Sequence, residues 1–164
     1  MLMKLIVGLG NPGEEYSNNR HNVGHLVADA LLKRSLPLRG KRNLPKNLVV
    51  KKTSVFMNES GSEVKKLLGG LDPNNLYIIH DDLDIALGGY KIQNGKSPKD
   101  HKGLESIDEA LGTSDYWHIR IGVDNRDPKN RTPGEEYVLQ DFTGEEKKIL
   151  EVVLKEICKK LATS

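Results

Sequence analysis

The sequence predicts a single α/β domain: a twisted, mixed and mostly parallel central sheet flanked by helices. Three observations carry that prediction. Short apolar runs such as Leu5-Ile6-Val7, closed by Gly8, and Tyr77-Ile78-Ile79 read as buried strands. Segments with apolar residues three and four apart alternate with them, the pattern of helices packed on a parallel or mixed sheet. The length of 164 residues suits one domain with a full core rather than two, so residues 1–164 are taken as one unit.

The elements follow in order. A strand over 4–8 ends in a glycine turn, and a helix over 22–34 carries Val23, Leu26, Val27, Ala30 and Leu31 on one face. A strand over 48–53 runs through Val50, and a helix over 60–69 stops at Gly69-Gly70. Strands are expected over 76–80 and 88–93, the second opening at Gly88-Gly89. A helix over 103–111 stops at Gly112, and a strand over 117–123 contains Ile119-Arg120-Ile121. The final helix, 144–161, repeats Ile149, Leu150, Val153, Leu154, Ile157 and Leu161 at helical spacing. Cys158 sits beside that stripe and reads as a packed thiol. The segment from Asn125 to Gly134, rich in Asn, Arg, Asp, Lys and Pro, is an expected exposed loop.

Composition excludes several classes. Hydrophobic residues make up 37% and charged residues 29% of the chain, as in an ordinary soluble globule. No apolar run approaches the roughly 18 residues of a membrane span. Met1-Leu2-Met3-Lys4 leads straight into a strand, without a signal-peptide pattern. One cysteine allows neither an internal disulfide nor a cysteine metal cluster. A cytoplasmic protein with no membrane contact is expected. The net charge is only +2, yet Lys33, Arg34, Arg39, Lys41, Arg42, Lys46, Lys51 and Lys52 follow one another with no Asp or Glu between. Lys96, Lys99 and Lys102 form a second basic cluster, relieved only by Asp100. One-signed stretches in a balanced sequence point to a polyanion such as nucleic acid.

Gly8, Gly10 and Gly13 spell the G-x-G-x-x-G of dinucleotide-binding loops, but the context is wrong. That motif needs a helix N-terminus facing the pyrophosphate. Here Glu14-Glu15-Tyr16-Ser17-Asn18-Asn19 follows, aperiodic and carrying two carboxylates. The acid expected about 20 residues on would be Asp29, inside a helix.

Four other patches lie at strand ends or helix starts: Asn11 with His21 and Asn22; Phe56-Met57-Asn58; His80-Asp81-Asp82-Leu83-Asp84; and Asp100-His101-Lys102-Gly103-Leu104. In open α/β sheets the carboxyl ends of the strands are where ligands bind. His21 suits a general base, provided a carboxylate fixes its tautomer and raises its pKa; Asp81 suits that role. Asn11 and Asn58 can donate amide hydrogens to a developing oxyanion or hold a water. No G-x-S-x-G elbow occurs, so water fits better as nucleophile than a side chain. His80, Asp81, Asp82 and Asp84 could instead gather a divalent cation, a reading ranked second because such sites recruit oxygens from several segments. Otherwise His80 serves structure and Asp84 a turn or helix cap.

Together these blocks resemble bacterial-type peptidyl-tRNA hydrolase. They are Val7-Gly8-Leu9-Gly10-Asn11-Pro12-Gly13, Glu15-Tyr16, Arg20-His21-Asn22-Val23-Gly24, Phe56-Met57-Asn58-Glu59-Ser60-Gly61 and His80-Asp81-Asp82-Leu83-Asp84, in the family's order and spacing. The resemblance runs from about Lys4 to the final helix. It implies hydrolysis of the ester between a peptide and the 3′ ribose of tRNA by a monomeric α/β enzyme using neither metal nor cofactor. It makes His21 the catalytic base and Asp81 its orienting carboxylate. Asn11 and Asn58 become substrate contacts; Tyr16, Phe56 and Met57 become cleft walls; Arg120 becomes a clamp for a tRNA phosphate. His101 and Lys102 join the substrate contacts, although Lys102 replaces a family asparagine. Gln93 stands where a second phosphate-clamping lysine is expected, and the stretch from Lys41 to Val49 and the C-terminal tail are short. Those departures leave open a second reading, a tRNA-binding protein on the same scaffold that has lost turnover.

Overall fold

Five strands assemble into one sheet in the computed structural model, which describes residues 2–35 and 44–163. The strands are β1 (Lys4–Gly8), β2 (Leu48–Lys52), β3 (Leu76–Ala86), β4 (Tyr90–Asn94) and β5 (Trp117–Asp124), in spatial order β2-β1-β3-β5-β4. β1 pairs in parallel with β2 and β3, and β3 with β5; β4 alone is antiparallel. The helices are α1 (Val23–Ser35), α2 (Ser60–Leu68), α3 (Lys102–Leu111), the short α4 (Gly134–Tyr137) and α5 (Gly144–Thr163).

Strand alternation splits the core into two layers. Ile6, Ile79, Ile119 and Ile121 face α1 and α5, where Val27, Leu31, Leu150, Val153 and Ile157 meet them. Leu5, Val7, Leu76 and Ile78 face α2 and α3, against Val64, Leu68, Leu104 and Ile107. Cys158 is buried in the first layer, as its place beside the stripe predicts. Among the described residues no helix is long and apolar enough to cross a membrane.

The contact that matters most for the site is between β1 and α1. A Cβ on Gly8 would strike the Gly24 carbonyl, and one on Gly24 would strike the carbonyl of Ile79. Glycine at both positions lets the start of α1 lie directly on the sheet. The 3₁₀ turn Arg20–Asn22, which runs into α1, is thereby held at the C-terminal ends of β1 and β3. No helix starts within the glycine run; a 3₁₀ turn over Glu14–Tyr16 occupies the place a dinucleotide fold would give to one.

Two expectations need correction. β3 does not end at residue 80 but continues to Ala86, because β5 keeps pairing with it through Asp82 and again at Ala86, across a bulge. Asp84 therefore neither turns the chain nor caps a helix. It is an exposed strand residue, its N–H donated to Asp82 Oδ1 at 2.8 Å. The remaining boundaries move by at most two residues. The loop after β5 is as expected until Gly134, where α4 begins. Of the first basic stretch, Arg39, Lys41 and Arg42 lie outside the described residues, as does the start of the short 41–49 segment; Lys52 is paired to Asp29 at 2.8 Å.

Candidate active site

A cleft of about 690 Å³ opens at the C-terminal ends of β1 and β3. The turn before α1 brings His21 to it, the end of β1 brings Asn11, and a 3₁₀ turn over Met57–Glu59 brings Met57 and Asn58. β3 supplies Asp81, and the start of α3 supplies His101 and Lys102. Phe56 lines the cleft and is half exposed, with Tyr16 edge-on behind it at 6.4 Å.

Hydrogen-bond direction fixes the protons. Nδ1 of His21 donates to Asp81 Oδ1 at 2.9 Å, since a carboxylate oxygen can only accept. The basic nitrogen of neutral His21 is therefore Nε2. His101 donates from Nε2 to the same oxygen, also at 2.9 Å, while its Nδ1 accepts the Leu104 N–H at 3.3 Å and caps α3. Both ring nitrogens of His101 are thus spent, and it positions Asp81 rather than moving protons. Burial alone would lower the pKa of His21, but the charge and hydrogen bond of Asp81 outweigh it and raise the pKa above its ordinary 6.5. Burial works against the Asp81 charge too, yet His21 and His101 together hold its carboxyl well below the usual range.

The backbone carrying His21 is pinned from outside the sheet. The His21 N–H donates to the Val138 carbonyl at 2.8 Å, and Arg20 lies 2.7 Å from Glu146 in a buried ion pair, stacked on Tyr137. Asn11 is held as firmly. Its backbone exchanges hydrogen bonds with the Asn22 amide, both 2.9 Å, and its Oδ1 accepts the Met57 N–H at 2.7 Å. That last bond fixes the amide orientation, leaving Nδ2 as the free donor.

The alternative cation set does not form. His80 spends both ring nitrogens inside the protein and Asp84 is exposed on the strand, so neither joins Asp81. Among the described residues, the donor atoms of His21, Asp81 and His101 do lie within 4.8 Å of one another. They do not suit a metal, because His101 Nε2 must keep its hydrogen while Nδ1 accepts from the backbone.

The structure does not bring Arg120 to this cleft. It sits on the face of the sheet turned to α2 and α3, buried, with Nε 2.7 Å from Asp82 Oδ2 and Nη1 donating to Gln93 Oε1 at 2.7 Å. A buried guanidinium needs such partners, and these occupy it. Lys102 and Lys99 do line the cleft. Sequence reasoning missed Leu83, Val138 and Leu139, which form an apolar wall. Pro133-Gly134 followed by Glu-Glu-Tyr, a helix-start pattern, was the available signal.

A carboxylate-held imidazole with a free donor amide beside it, at the open edge of a mostly parallel sheet, is an arrangement suited to hydrolysis, and among the described residues the cleft lining holds no serine, threonine or cysteine. The peptidyl-tRNA hydrolase family model matches residues 5–164. A peptidyl-tRNA hydrolase of Paenarthrobacter aurescens is 40% identical over 93% of this chain and 84% of its own. One of Aquifex aeolicus is 38% identical over 94% and 86%. The crystal structure of the Acinetobacter baumannii peptidyl-tRNA hydrolase superposes with a TM-score of 0.79 at 25% identity, covering 97% of this chain and 86% of that one. The chain belongs to the peptidyl-tRNA hydrolase family.

Proposed function

We propose that this chain hydrolyses the ester between the peptide and the 3′ ribose of peptidyl-tRNA with a water activated by His21, without a metal or cofactor. The observation that carries the reading is the bond from His21 Nδ1 to Asp81 Oδ1, which leaves Nε2 as the base. Nε2 takes a proton from water as the oxygen attacks the ester carbon. Asp81 steadies the imidazolium, and Asn11 Nδ2 with the Asn58 amide meets the oxyanion. As the tetrahedral intermediate collapses, the ester C–O bond breaks and the ribose oxygen recovers the proton from His21, leaving free tRNA and a peptide carboxylic acid that gives up its proton to solvent. Phe56, Met57 and Tyr16 wall the 3′ end.

Lys102 and Lys99 face the phosphates near that end, in place of the enclosed Arg120. A lysine in the first turn of α3 lies at the positive end of the helix dipole, an unfavourable place that an anionic ligand would relieve. The same reading takes the enzyme to act as a monomer in the cytoplasm, where peptidyl-tRNA arises during translation.

The test is release of tRNA from an N-acetylated aminoacyl-tRNA with and without EDTA. Release unaffected by chelator, and lost in His21→Ala, is expected. Loss on chelation would overturn the metal-free mechanism. Binding without release would turn the reading to a tRNA-binding protein.

A further inference from the structure

Behind Asp81 runs a line of hydrogen bonds that the mechanism above does not use. His80, fully buried, places Nδ1 2.9 Å from the Asp81 backbone carbonyl and Nε2 3.0 Å from Nδ1 of His118. His118, fully buried on β5, has its Nε2 3.5 Å from Ser97 Oγ. The chemistry of the last acceptor orients the whole line. A carbonyl only accepts, so His80 Nδ1 carries a hydrogen. Neutral His80 then has a lone pair on Nε2, so His118 donates from Nδ1. That leaves a lone pair on His118 Nε2, to which the Ser97 hydroxyl donates. Each bond runs the same way, from Ser97 to the backbone of Asp81.

Both rings stay neutral at pH 7. Burial drives the His80 pKa well down. Burial and the Arg120 charge push that of His118 down to about 4. Ser97 belongs to the segment that carries Pro98, Lys99, Asp100 and His101 to the cleft wall and ends in the cap of α3. The His80 ring also meets His101 edge-on at 5.5 Å. The line therefore joins the cleft wall to the strand position that holds the carboxylate under His21.

We propose that His118 is a positioning residue: through His80 it holds the Asp81 backbone, and with it the bond to His21, in register with the 95–101 segment. This rests on the reading that Asp81 orients His21. A buried His80 Nε2 left without its donor would be an unpaired polar atom. Its ring would gain by turning to reach another donor, and that change gives up the bond to Asp81. Small displacements at a general base are expensive in rate, because the base must meet its water in a narrow geometry.

Two measurements decide it. The first uses the unaltered protein: long-range ¹⁵N–¹H correlation spectra at neutral pH should show His80 and His118 both neutral with hydrogen on Nδ1. Either ring cationic or protonated on Nε2 overturns the proposal. The second compares His118→Leu, which removes the donor, with His118→Asn, whose side-chain N–H can replace it. On N-acetylated aminoacyl-tRNA the leucine variant should lose about tenfold in kcat with KM little changed, and asparagine should recover most of that loss. Equal kcat in the two folded variants, or no loss with leucine, would make His118 mere packing. If the leucine variant does not fold, the tautomers decide alone. An active His21→Ala with the stated tautomers would sink the mechanism while leaving the hydrogen-bond line standing.

Discussion

Asp81 and Asp82 are the same residue type one position apart on β3, and they do opposite work. Strand alternation turns Asp81 to the cleft, where its Oδ1 holds two imidazoles. Asp82 turns to the other face, where Oδ2 is paired with Arg120 at 2.7 Å. Both carboxylates are buried, at 3% and 0% exposure, so burial alone does not separate them. The partner does. An imidazole can take up and release a proton near neutral pH, whereas a guanidinium stays charged. A carboxylate beside the first can tune a reaction; beside the second it can only hold a structure together.

The largest effect should come from taking away the proton acceptor itself. His21→Ala should lower kcat at least about 10²-fold with tRNA affinity largely kept, as single-turnover rates and filter binding would show. Activity near wild type would end the distinction drawn above. Asp81→Asn should follow, with kcat also well down and a changed pH profile. In the proposed mechanism the base works deprotonated, so kcat should climb as pH rises through the His21 pKa, which Asp81 holds above 6.5. Removing that charge lowers the pKa, so the ascending limb should move to lower pH while the plateau drops. A limb that stays in place would show that Asp81 does not set the base.

Asp82→Asn probes the other half and should read out in stability. It leaves Arg120 buried with its ion pair broken, a change that costs about 3–5 kcal/mol when one member of a buried pair is lost. Urea unfolding measures it directly. The pH limb of whatever protein remains folded should stay where the wild type has it. A limb that moved with Asp82 would mean the two carboxylates act as one unit.

This division also explains what could be read without a structure. Apolar runs and periodicity placed four of the strands and the main helices, since each buries a face and burial demands a pattern, while Gly88-Gly89 marked the start of β4. His21, Asp81 and Asn11 were legible because strand ends carrying short polar groups are where α/β sheets bind ligands. The length of β3 was not. Asp82 and Asp84 read as lying beyond the strand until Arg120, far along the chain, supplies the partner that lets Asp82 stay in it. The place of Arg120 was lost for the same reason: the family resemblance makes it a phosphate ligand, and the carboxylate that occupies it comes from a strand distant in sequence. Val138 and Leu139 escaped because a four-residue helix gives too short a run for any period to show.

The smallest effect concerns which fixed cation meets the tRNA. Lys102 is exposed at the cleft and Arg120 is enclosed by Asp82 and Gln93, so the two should differ in a salt titration. Each phosphate neutralised contributes close to one unit to the slope of log affinity against log salt. Lys102→Ala should therefore lower that slope by about one unit and raise KM by a few-fold, with kcat less affected. Removing the buried pair together, Asp82→Asn with Arg120→Gln, takes out one charge of each sign from the interior and should leave the slope unchanged. If the double variant loses a unit of slope and Lys102→Ala loses none, the guanidinium opens to phosphate when tRNA arrives. The contrast between the two faces of β3 would then hold only for the unliganded enzyme.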